Sequence, residues 1–442
     1  MKKIVKLISF ILVSVMCFGI CAFAEPGYAH TEEDLLLFAP KWEQIQNDNT
    51  VISLTPGKTQ GEINFCWLSE TENEKFFISE NEDMSDKKEL TVTQVSAFEG
   101  LISNNVTATG LEENKTYFYT YTENGVLSKA EKIKVQPAEN FTVLYVSDAQ
   151  IGRSGDENLE EVLIRDTCGW NYTVDKMTEK YPDAAFVISA GDQFQSADSL
   201  VQMKAYLSPE ELRSLPVANT IGNHDCDATL YSDIFNNPNE VKELLKSDAG
   251  TGYYYTYGDA LFITINSENM NPDDVIRVVR TAVNAHPDKK WRVVTMHRSP
   301  YPAGLKDNDL TEKNLLFAPI FDCYDIDLVL CGHDHFYSRT QPIKAGKVSD
   351  NGTVYMQTSS ASGSNYDHLP EKISSFVVSS FDVRVPTYVA LTFTEDAIEV
   401  SAYRTDSNET IDTFSVTDNE SDSVANFFTI LFAMIKTLFS IF

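Results

Sequence analysis

The chain has 442 residues, with 35 Lys and Arg against 65 Asp and Glu, and a formal net charge of −30 at pH 7. Nucleic acid and anionic lipid repel so acidic a protein, so no nucleic-acid-binding surface is expected. The length exceeds that of one average domain, which predicts more than one folded unit.

Residues 1–24 have the pattern of a secretory signal peptide. Three lysines precede an uncharged apolar run, Leu7–Cys21, and an A-x-A cleavage signal follows at residues 22–24. We therefore predict a secreted, extracellular protein. Without those three lysines, 32 basic residues stand against 65 acidic ones, a net charge of −33. The five cysteines beyond the signal are odd in number and widely scattered, which argues against a disulfide framework.

Residues 25–138 are predicted to form a small β-sandwich, because short β-rich stretches alternate with turn-like clusters. The predicted strands are Gly61–Trp67, Lys75–Ser79, Glu89–Gln94, Asn105–Ala108, Tyr117–Tyr121 and Lys132–Val135. The segment from Gly110 to Tyr117 resembles the tyrosine corner of fibronectin type III domains, which implies a hydrogen bond from Tyr117 back across the turn. The region holds only His30 and no cluster of ligand residues, so we expect a structural role.

Residues 139–417 alternate strand and helix patterns, which predicts a layered α/β domain. Helices are predicted at Leu159–Lys180 and Pro272–Asn284. The predicted closing strands are Thr387–Phe393, Ala397–Tyr403 and Asp412–Thr417. The Ser-rich tract at residues 358–364 is compatible with a flexible linker or with a mobile rim of the active site.

Five apolar runs in this second region each end at residues that can bind metal ions. They are Phe141–Ser147 before Asp148 and Gln150, Ala184–Ala190 before Asp192, Val217–Ile221 before Asn223 and His224, Trp291–Met296 before His297, and Asp327–Cys331 before His333 and His335. Ligands of α/β sheets bind beyond the carboxyl ends of the strands, so these side chains should converge. Their oxygens and nitrogens suit a pair of divalent or trivalent metal ions.

The C-terminal residues 418–442 combine an acidic linker with an apolar tail. Residues 424–442 carry one charged side chain, Lys436, and their polar residues fall on one narrow arc of a helical wheel. The tail predicts an amphipathic helix that associates with a membrane, the cell envelope or a partner. A helix packed on its own domain is the alternative interpretation.

Taken together, the five motifs resemble those of the calcineurin-like metallophosphoesterase superfamily. With a fibronectin-like domain in front, the architecture resembles that of purple acid phosphatases. The resemblance implies two metal ions, of Fe, Mn or Zn, with Asp192 as the bridging ligand. It further implies that Asp148 and His335 complete one metal site, and that Asn223, His297 and His333 complete the other.

Two positions depart from the family pattern. Gln150 stands where metallophosphoesterases have a histidine, and it either ligates a metal through its amide oxygen or hydrogen-bonds a water there. Gln195 stands where purple acid phosphatases have the tyrosinate that holds and colours ferric iron. The second departure argues against a purple Fe(III) centre.

The same resemblance implies hydrolysis of phosphate esters by metal-activated hydroxide. His224, held by the neighbouring Asp225, corresponds to the residue that contacts the phosphate and protonates the leaving oxygen. Arg298 is either a binding residue for a second phosphate or distal substrate group, or a solvated surface residue.

Three functions fit the sequence. The first is an acid phosphatase-like enzyme that acts on small-molecule or polymeric monoesters. The second is a phosphodiesterase that acts on nucleotides or cell-envelope phosphodiesters. The third is a surface binding module whose metal site has degenerated at Gln150 and Gln195. The other seven residues of the family motifs are all present, which disfavours this third function: Asp148, Asp192, Asn223, His224, His297, His333 and His335.

Overall fold

The computed structural model describes residues 27–157, 159–245, 247–304 and 316–418. The predicted signal peptide and the apolar tail at residues 424–442 lie outside these ranges, so both stay predictions. Within the described ranges, no helix combines the length and the apolar character that a membrane crossing requires.

Two short helices precede the first sheet. Helix α1 spans Glu32–Phe38, and a 3-10 turn at Ala39–Lys41 leads into helix α2 at Trp42–Asn47. Thr31 and Asp34 form a capping box that begins α1, since each side chain hydrogen-bonds the backbone N–H of the other. Trp42 packs into the core of the second domain, which fixes these helices there.

A β-sandwich follows, as predicted. Its strands are β1 Ile52–Pro56, β2 Glu62–Ser69, β3 Phe76–Ser79, β4 Lys88–Leu90, β5 Thr93–Ser96, β6 Ile102–Thr109, β7 Thr116–Glu123, β8 Val126–Leu127 and β9 Glu131–Lys134, with a 3-10 turn at Phe98–Gly100. One sheet has the order β1-β2-β6-β5 and the other β4-β3-β7-β8, with β9 on β7. Phe65 of the first sheet packs on Phe76 and Tyr119 of the second, at ring-centroid distances of 4.6 and 4.9 Å.

Local details of the sandwich differ from the sequence predictions in two places. The predicted strand Glu89–Gln94 is two strands, β4 and β5, which belong to opposite sheets. Strand β1 lies outside the predicted strands, although the turn-type residues 47–49 precede it. The predicted hydrogen bond of the tyrosine corner is present: the Glu112 N–H donates to Tyr117 Oη at 3.0 Å.

The second domain contains two larger sheets and five helices among the described residues. Its helices are α3 Glu160–Lys180, α4 Leu200–Tyr206, α5 Leu230–Ile234, α6 Pro272–Ala285 and α7 Ala318–Cys323, with a 3-10 turn at Glu210–Arg213. Its strands are β10 Thr142–Val146, β11 Phe186–Ser189, β12 Val217–Asn219, β13 Tyr253–Tyr257, β14 Ala260–Ile265, β15 Trp291–Met296, β16 Leu328–Cys331, β17 Tyr337–Thr340, β18 Ile343–Lys344, β19 Lys347–Val348, β20 Val354–Gln357, β21 Val377–Phe381, β22 Thr387–Phe393, β23 Ala397–Arg404 and β24 Thr410–Thr417. The predicted fold class, a β-sandwich followed by a layered α/β domain, is confirmed.

The two sheets lie face to face with helices outside them. The first sheet has the order β12-β11-β10-β22-β23-β24, and the second β13-β14-β15-β16-β20-β17-β21. An aromatic core that includes Tyr145, Phe186 and Phe262 lies between them. Helices α3 and α4 cover the outer face of the first sheet, and α6 and α7 that of the second. The layers are therefore helix, sheet, sheet, helix.

Helix α6 shows how the sequence produces this layering. Asn271 caps the helix by accepting a hydrogen bond from the Asp273 N–H at 3.1 Å, and Pro272 is its first residue. Val275, Val278 and Ala282 recur at helical spacing and are 2% exposed or less. This apolar stripe packs on β14.

Polar contacts join the sandwich to the second domain. Ser53 and Thr55 on β1 donate to the carbonyls of Ile234 and Asn236, which lie at and beyond the end of α5. The Tyr119 hydroxyl donates to the Arg213 carbonyl at 2.8 Å. The sandwich thus lies behind the segment that follows the Asn223–Asp225 motif, where it supports that segment.

Candidate metal centre

The ends of β10, β11, β12, β15 and β16 place the predicted ligand residues at one edge of the two sheets. The five ligand-type residues Asp148, Gln150, Asp192, His333 and His335 have positive φ angles, between 36° and 77°. Left-handed backbone is uncommon for residues other than glycine, and such strain clusters at functional sites. The chain therefore turns sharply after β10, β11 and β16, which brings side chains of distant segments together.

Glycines in the motifs allow the backbone to approach the carboxylates. A Cβ on Gly222 would lie 2.1 Å from Asp192 Oδ1, and one on Gly332 would lie 2.5 Å from Asp148 Oδ2. Real Cβ atoms do not come that close to other heavy atoms. Gly222 and Gly332 are therefore required by the packing of the Asp192 and Asp148 carboxylates.

The first ligand group contains Asp148 and His335. His335 Nε2 lies 3.2 Å from Asp148 Oδ1, and the Asp148 side chain is fully buried. The His333 backbone N–H donates to Asp148 Oδ2 at 3.0 Å. These contacts fix the orientation of the carboxylate.

The second ligand group contains Asp192, Asn223, His297 and His333. His297 Nε2 lies 3.2 Å from both Asp192 Oδ2 and Asn223 Oδ1. Ligand atoms of Asp192, His297 and His333 all lie within 4.8 Å of one another. The structure thus brings together the residues that the family resemblance assigned to shared metals, although their roles as ligands stay predictions.

Backbone carbonyls orient the imidazoles of both groups. Nδ1 of His297 lies 2.9 Å from the Ala190 carbonyl oxygen, and Nδ1 of His335 lies 3.1 Å from that of Asn365. A carbonyl oxygen only accepts, so each Nδ1 carries the proton and donates it. Each Nε2 therefore faces the carboxylates, as a metal-binding imidazole requires.

Gln150 offers a buried oxygen that the protein leaves unsatisfied. Its Nε2 donates to Gln195 Oε1 at 3.2 Å, and the side chain is 2% exposed. Its Oε1 is buried and has no hydrogen-bond partner among the described residues. Because an orphaned buried acceptor costs about 1–3 kcal/mol, this atom requires a cation or a water. Both predicted roles of Gln150, metal ligation and a hydrogen bond to a metal-bound water, would satisfy this oxygen, and both stay predictions.

The carboxylates of the cluster favour positive charge on two of its three imidazoles, those of His297 and His335. Burial lowers the pKa of His297, but the Asp192 carboxylate outweighs burial and raises the pKa to about 10. Burial also opposes protonation of His335, whose pKa is nevertheless raised by Asp148. Burial and the neighbouring His297 and Arg298 lower the pKa of His333 to about 3, so its ring is neutral.

The residues therefore fit a pair of metal ions. Two buried carboxylates, the imidazoles of His297, His333 and His335, and two amide oxygens form one cluster, in which the Nε2 atoms of His297 and His335 face the carboxylates. Oxygen and imidazole ligands of this kind suit Fe, Mn or Zn, and the donor set does not discriminate among them.

His224 and Asp225 make separate contacts, and the Asp225 carboxylate is not the partner of the His224 ring. His224 Nδ1 donates to the Gln195 carbonyl at 3.0 Å, which holds the ring beside the cluster. The Asp225 carboxylate instead accepts backbone N–H groups of Gly222 and Asp192, each at 2.8 Å, and of Gln193 at 3.2 Å. The prediction that Asp225 holds His224 is wrong, because its carboxylate binds the two loops together. Its catalytic role stays a prediction.

Arg298 is not a solvated surface residue. Its Nε donates to Glu268 Oε1 at 2.9 Å, and its Nη1 lies 2.7 Å from His333 Nε2. A guanidinium only donates, so the neutral His333 ring accepts this hydrogen bond. The Arg298 guanidinium thus already binds the Nε2 lone pair of His333, a residue that the family resemblance assigns as a metal ligand. The half-buried Arg298 also lines the cavity, where a substrate could reach it.

The Ser-rich tract has neither of the predicted roles. All of residues 358–364 are buried, so a flexible linker and a mobile rim are both wrong. Ser360 pairs with Ser147 at the end of β10, and its hydroxyl donates to the Asp148 carbonyl at 2.8 Å. The small side chains let this segment pass close behind Asp148, where it supports the strained backbone.

Sequence reasoning missed other residues around the cluster. A cavity of about 330 Å³ opens onto Gln150, Asp192 and His224, and its wall also includes Arg153 and His368. Arg153 follows Gln150 by three residues, so its proximity to the motif was a usable signal. His368 lies far from every motif in sequence, and only the tertiary structure places it at this wall.

Comparisons with known proteins agree with this geometry. The calcineurin-like phosphoesterase family model matches residues 141–337. An uncharacterised protein found in two strains of Mycobacterium tuberculosis is 35% identical over 74 residues, which are 16% of this chain and 14% of the relative's length. A purple acid phosphatase from yellow lupin (Lupinus luteus) seeds superposes with a TM-score of 0.66 at 16% identity, covering 86% of this chain and 75% of that chain. At that identity, the likeness shows a shared fold.

Proposed function

Because this chain carries a calcineurin-like phosphoesterase domain at residues 141–337, as its motifs predicted, we propose that it is a secreted, metal-dependent phosphoester hydrolase. The observation that carries this proposal is the buried cluster at the strand ends. Asp192, His297 and His333 place their ligand atoms within 4.8 Å of one another, and the orphaned Gln150 oxygen lies at the same cavity. A binding module would not need so many buried, strained and mutually oriented ligands.

The chain's own residues supply binding and proton transfer. Bound metal ions would activate water as a nucleophile and neutralise charge on the phosphoryl oxygens. The Gln195 carbonyl keeps the proton of His224 on Nδ1, so Nε2 faces the two cavities that meet at this ring. Once protonated, His224 Nε2 can donate to the leaving oxygen as a general acid. Arg298, oriented by Glu268, contributes positive charge at the edge of the cluster.

We favour an acid phosphatase-like monoesterase over a phosphodiesterase. The cavity of about 330 Å³ lies at the small end of the range for ligand sites, which suits a compact monoester. The lupin enzyme that shares the fold is a purple acid phosphatase, which supports the same choice by analogy. A phosphodiesterase stays the second candidate, because a second cavity adjoins His224 and could hold the other ester arm.

The test uses purified exported protein reconstituted separately with Fe, Mn and Zn. We expect hydrolysis of p-nitrophenyl phosphate to exceed that of bis-p-nitrophenyl phosphate, and chelation to abolish both. Asp192→Asn should lose metal and activity together, because the proposed bridging charge is removed. Full activity and metal content in that variant would refute the site, and a preference for the diester would select the phosphodiesterase.

A further inference from the structure

Arg153 stands at the wall of the cavity beside the ligand cluster. Its side chain is exposed, and among the described residues its guanidinium has no hydrogen bond or ion pair. The chain has 65 acidic residues against 35 basic ones, so carboxylate partners are abundant elsewhere. An arginine without a partner beside a candidate phosphoester site is therefore available to bind an anion of the substrate.

The backbone around Arg153 is fixed by a buried carboxylate. The N–H groups of Gly152 and Ser154 donate to Asp166 Oδ2 at 2.9 and 3.3 Å, and the Arg153 N–H donates to the Gln150 carbonyl at 3.1 Å. Asp166 lies on α3, is fully buried and also accepts the Tyr28 hydroxyl at 2.8 Å. These bonds place the Arg153 side chain on an ordered loop at a constant distance from Gln150.

The charges of the two neighbouring cavities differ. The second cavity, of about 680 Å³, shares Asn223 and His224 with the first, and its wall contains no Lys or Arg among the described residues. Its acidic residues are Glu157, Asp198, Asp227 and Asp248. The wall of the first cavity contains Arg153 and Arg298 together with Asp192, Asp334 and Asp367. The second cavity would therefore repel a negatively charged part of a substrate, whereas the first offers two arginines that can bind it.

Arg298 and Arg153 are suited to different tasks. Arg298 is paired with Glu268 and contacts His333, so its charge is committed to the ligand cluster. Arg153 follows Gln150 by three residues, and among the described residues its guanidinium keeps its hydrogen-bond donors for an incoming group. Arginine binds carboxylate and phosphate in a bidentate manner, which lysine does not.

We propose that Arg153 determines specificity by binding a second anionic group, a carboxylate or a phosphate, on the phosphoester that the cluster hydrolyses. The inference rests on the proposed function and names its substrate class. A phosphoester with a distal anion would bind with its phosphoryl group at the cluster and its distal anion at Arg153. Substrates with a neutral or cationic distal group would lack this contact.

The test measures inhibition of p-nitrophenyl phosphate hydrolysis by paired ligands. Glycerol 3-phosphate and 3-phosphoglycerate differ by a distal carboxylate, and fructose 6-phosphate and fructose 1,6-bisphosphate differ by a distal phosphate. A charge-assisted bidentate contact should make at least one anionic member bind roughly ten to 100-fold more tightly. Arg153→Ala should bring that ratio close to one, and Arg153→Lys should retain part of it. Arg280→Ala, an exposed arginine on α6, is the matched control and should keep the wild-type ratio.

The outcomes separate this inference from the proposed function. A wild-type enzyme that hydrolyses p-nitrophenyl phosphate but binds the members of both pairs equally would overturn the inference alone. The same holds if Arg153→Ala keeps the wild-type ratio. A protein that hydrolyses no phosphoester with any of the three metals would overturn the proposed function, and the inference with it.

Discussion

Replacing Gly222 by alanine adds one methyl group against the carboxylate that we assign to both metals. The new Cβ would lie 2.1 Å from Asp192 Oδ1 and 2.4 Å from the Asp192 backbone nitrogen. Ordinary van der Waals contact begins at 3.4 Å. Backbone conformation is no obstacle, because Gly222 does not have a positive φ angle. The substitution therefore tests packing at the site and nothing else.

The structure sets the size of the effect. To restore ordinary contact, Asp192 must move by about 1.3 Å, whereas ligand distances in metal sites tolerate about 0.2 Å. We expect metal affinity to fall by at least about 10–100-fold, the usual cost of disturbing the support of a ligand. Forcing a methyl group into a packed site should also lower the free energy of unfolding by about 1–3 kcal/mol.

The assay combines metal titration with thermal unfolding of the metal-free protein. Gly61→Ala is the control, since this residue belongs to the β-sandwich, which holds no ligand residue, and its Cβ would lie 3.2 Å from its nearest neighbour, the Leu111 carbonyl oxygen. A folded Gly222→Ala protein with wild-type metal affinity would refute the assignment of Asp192 as a ligand. If the variant does not fold, Asp192→Asn tests the same assignment without added bulk.

Three further predictions follow from the site and the tail. His224→Ala should retain metal but lose roughly 10²–10⁴-fold in rate, with a smaller loss on substrates that have good leaving groups; an equal loss on all substrates would show that His224 only positions phosphate. The metal-loaded enzyme should lack a strong visible absorption band, because Gln195 replaces the tyrosinate and no tyrosine lines the cavity among the described residues; a violet protein would contradict this. A chain that ends at Thr417 should stay soluble and fully active. The exported full-length chain should instead sediment with liposomes, and this binding should depend little on salt because residues 424–442 carry one charge. Loss of activity on truncation would show that the tail belongs to the domain core.

The sequence alone was sufficient to predict that the side chains after the five apolar runs converge. A strand that ends at a turn places its next residues at the sheet edge whatever lies elsewhere in the chain, so Asp148, Asp192 and His297 could be assigned locally. The spacing of apolar residues predicted the ends of α3 and α6 to within one residue, because each helix buries one apolar face.

Only the tertiary structure decided which groups support those ligands. The Asp225 carboxylate binds the backbone of the Asp192 loop, and the buried Ser360 hydroxyl binds the Asp148 carbonyl, 212 residues away in sequence. Arg298 turns toward His333 because Glu268 and that ring lie together in the fold. Hydrogen bonds between distant segments depend on the relative position of whole layers, and the spacing of residues along one segment does not encode that position.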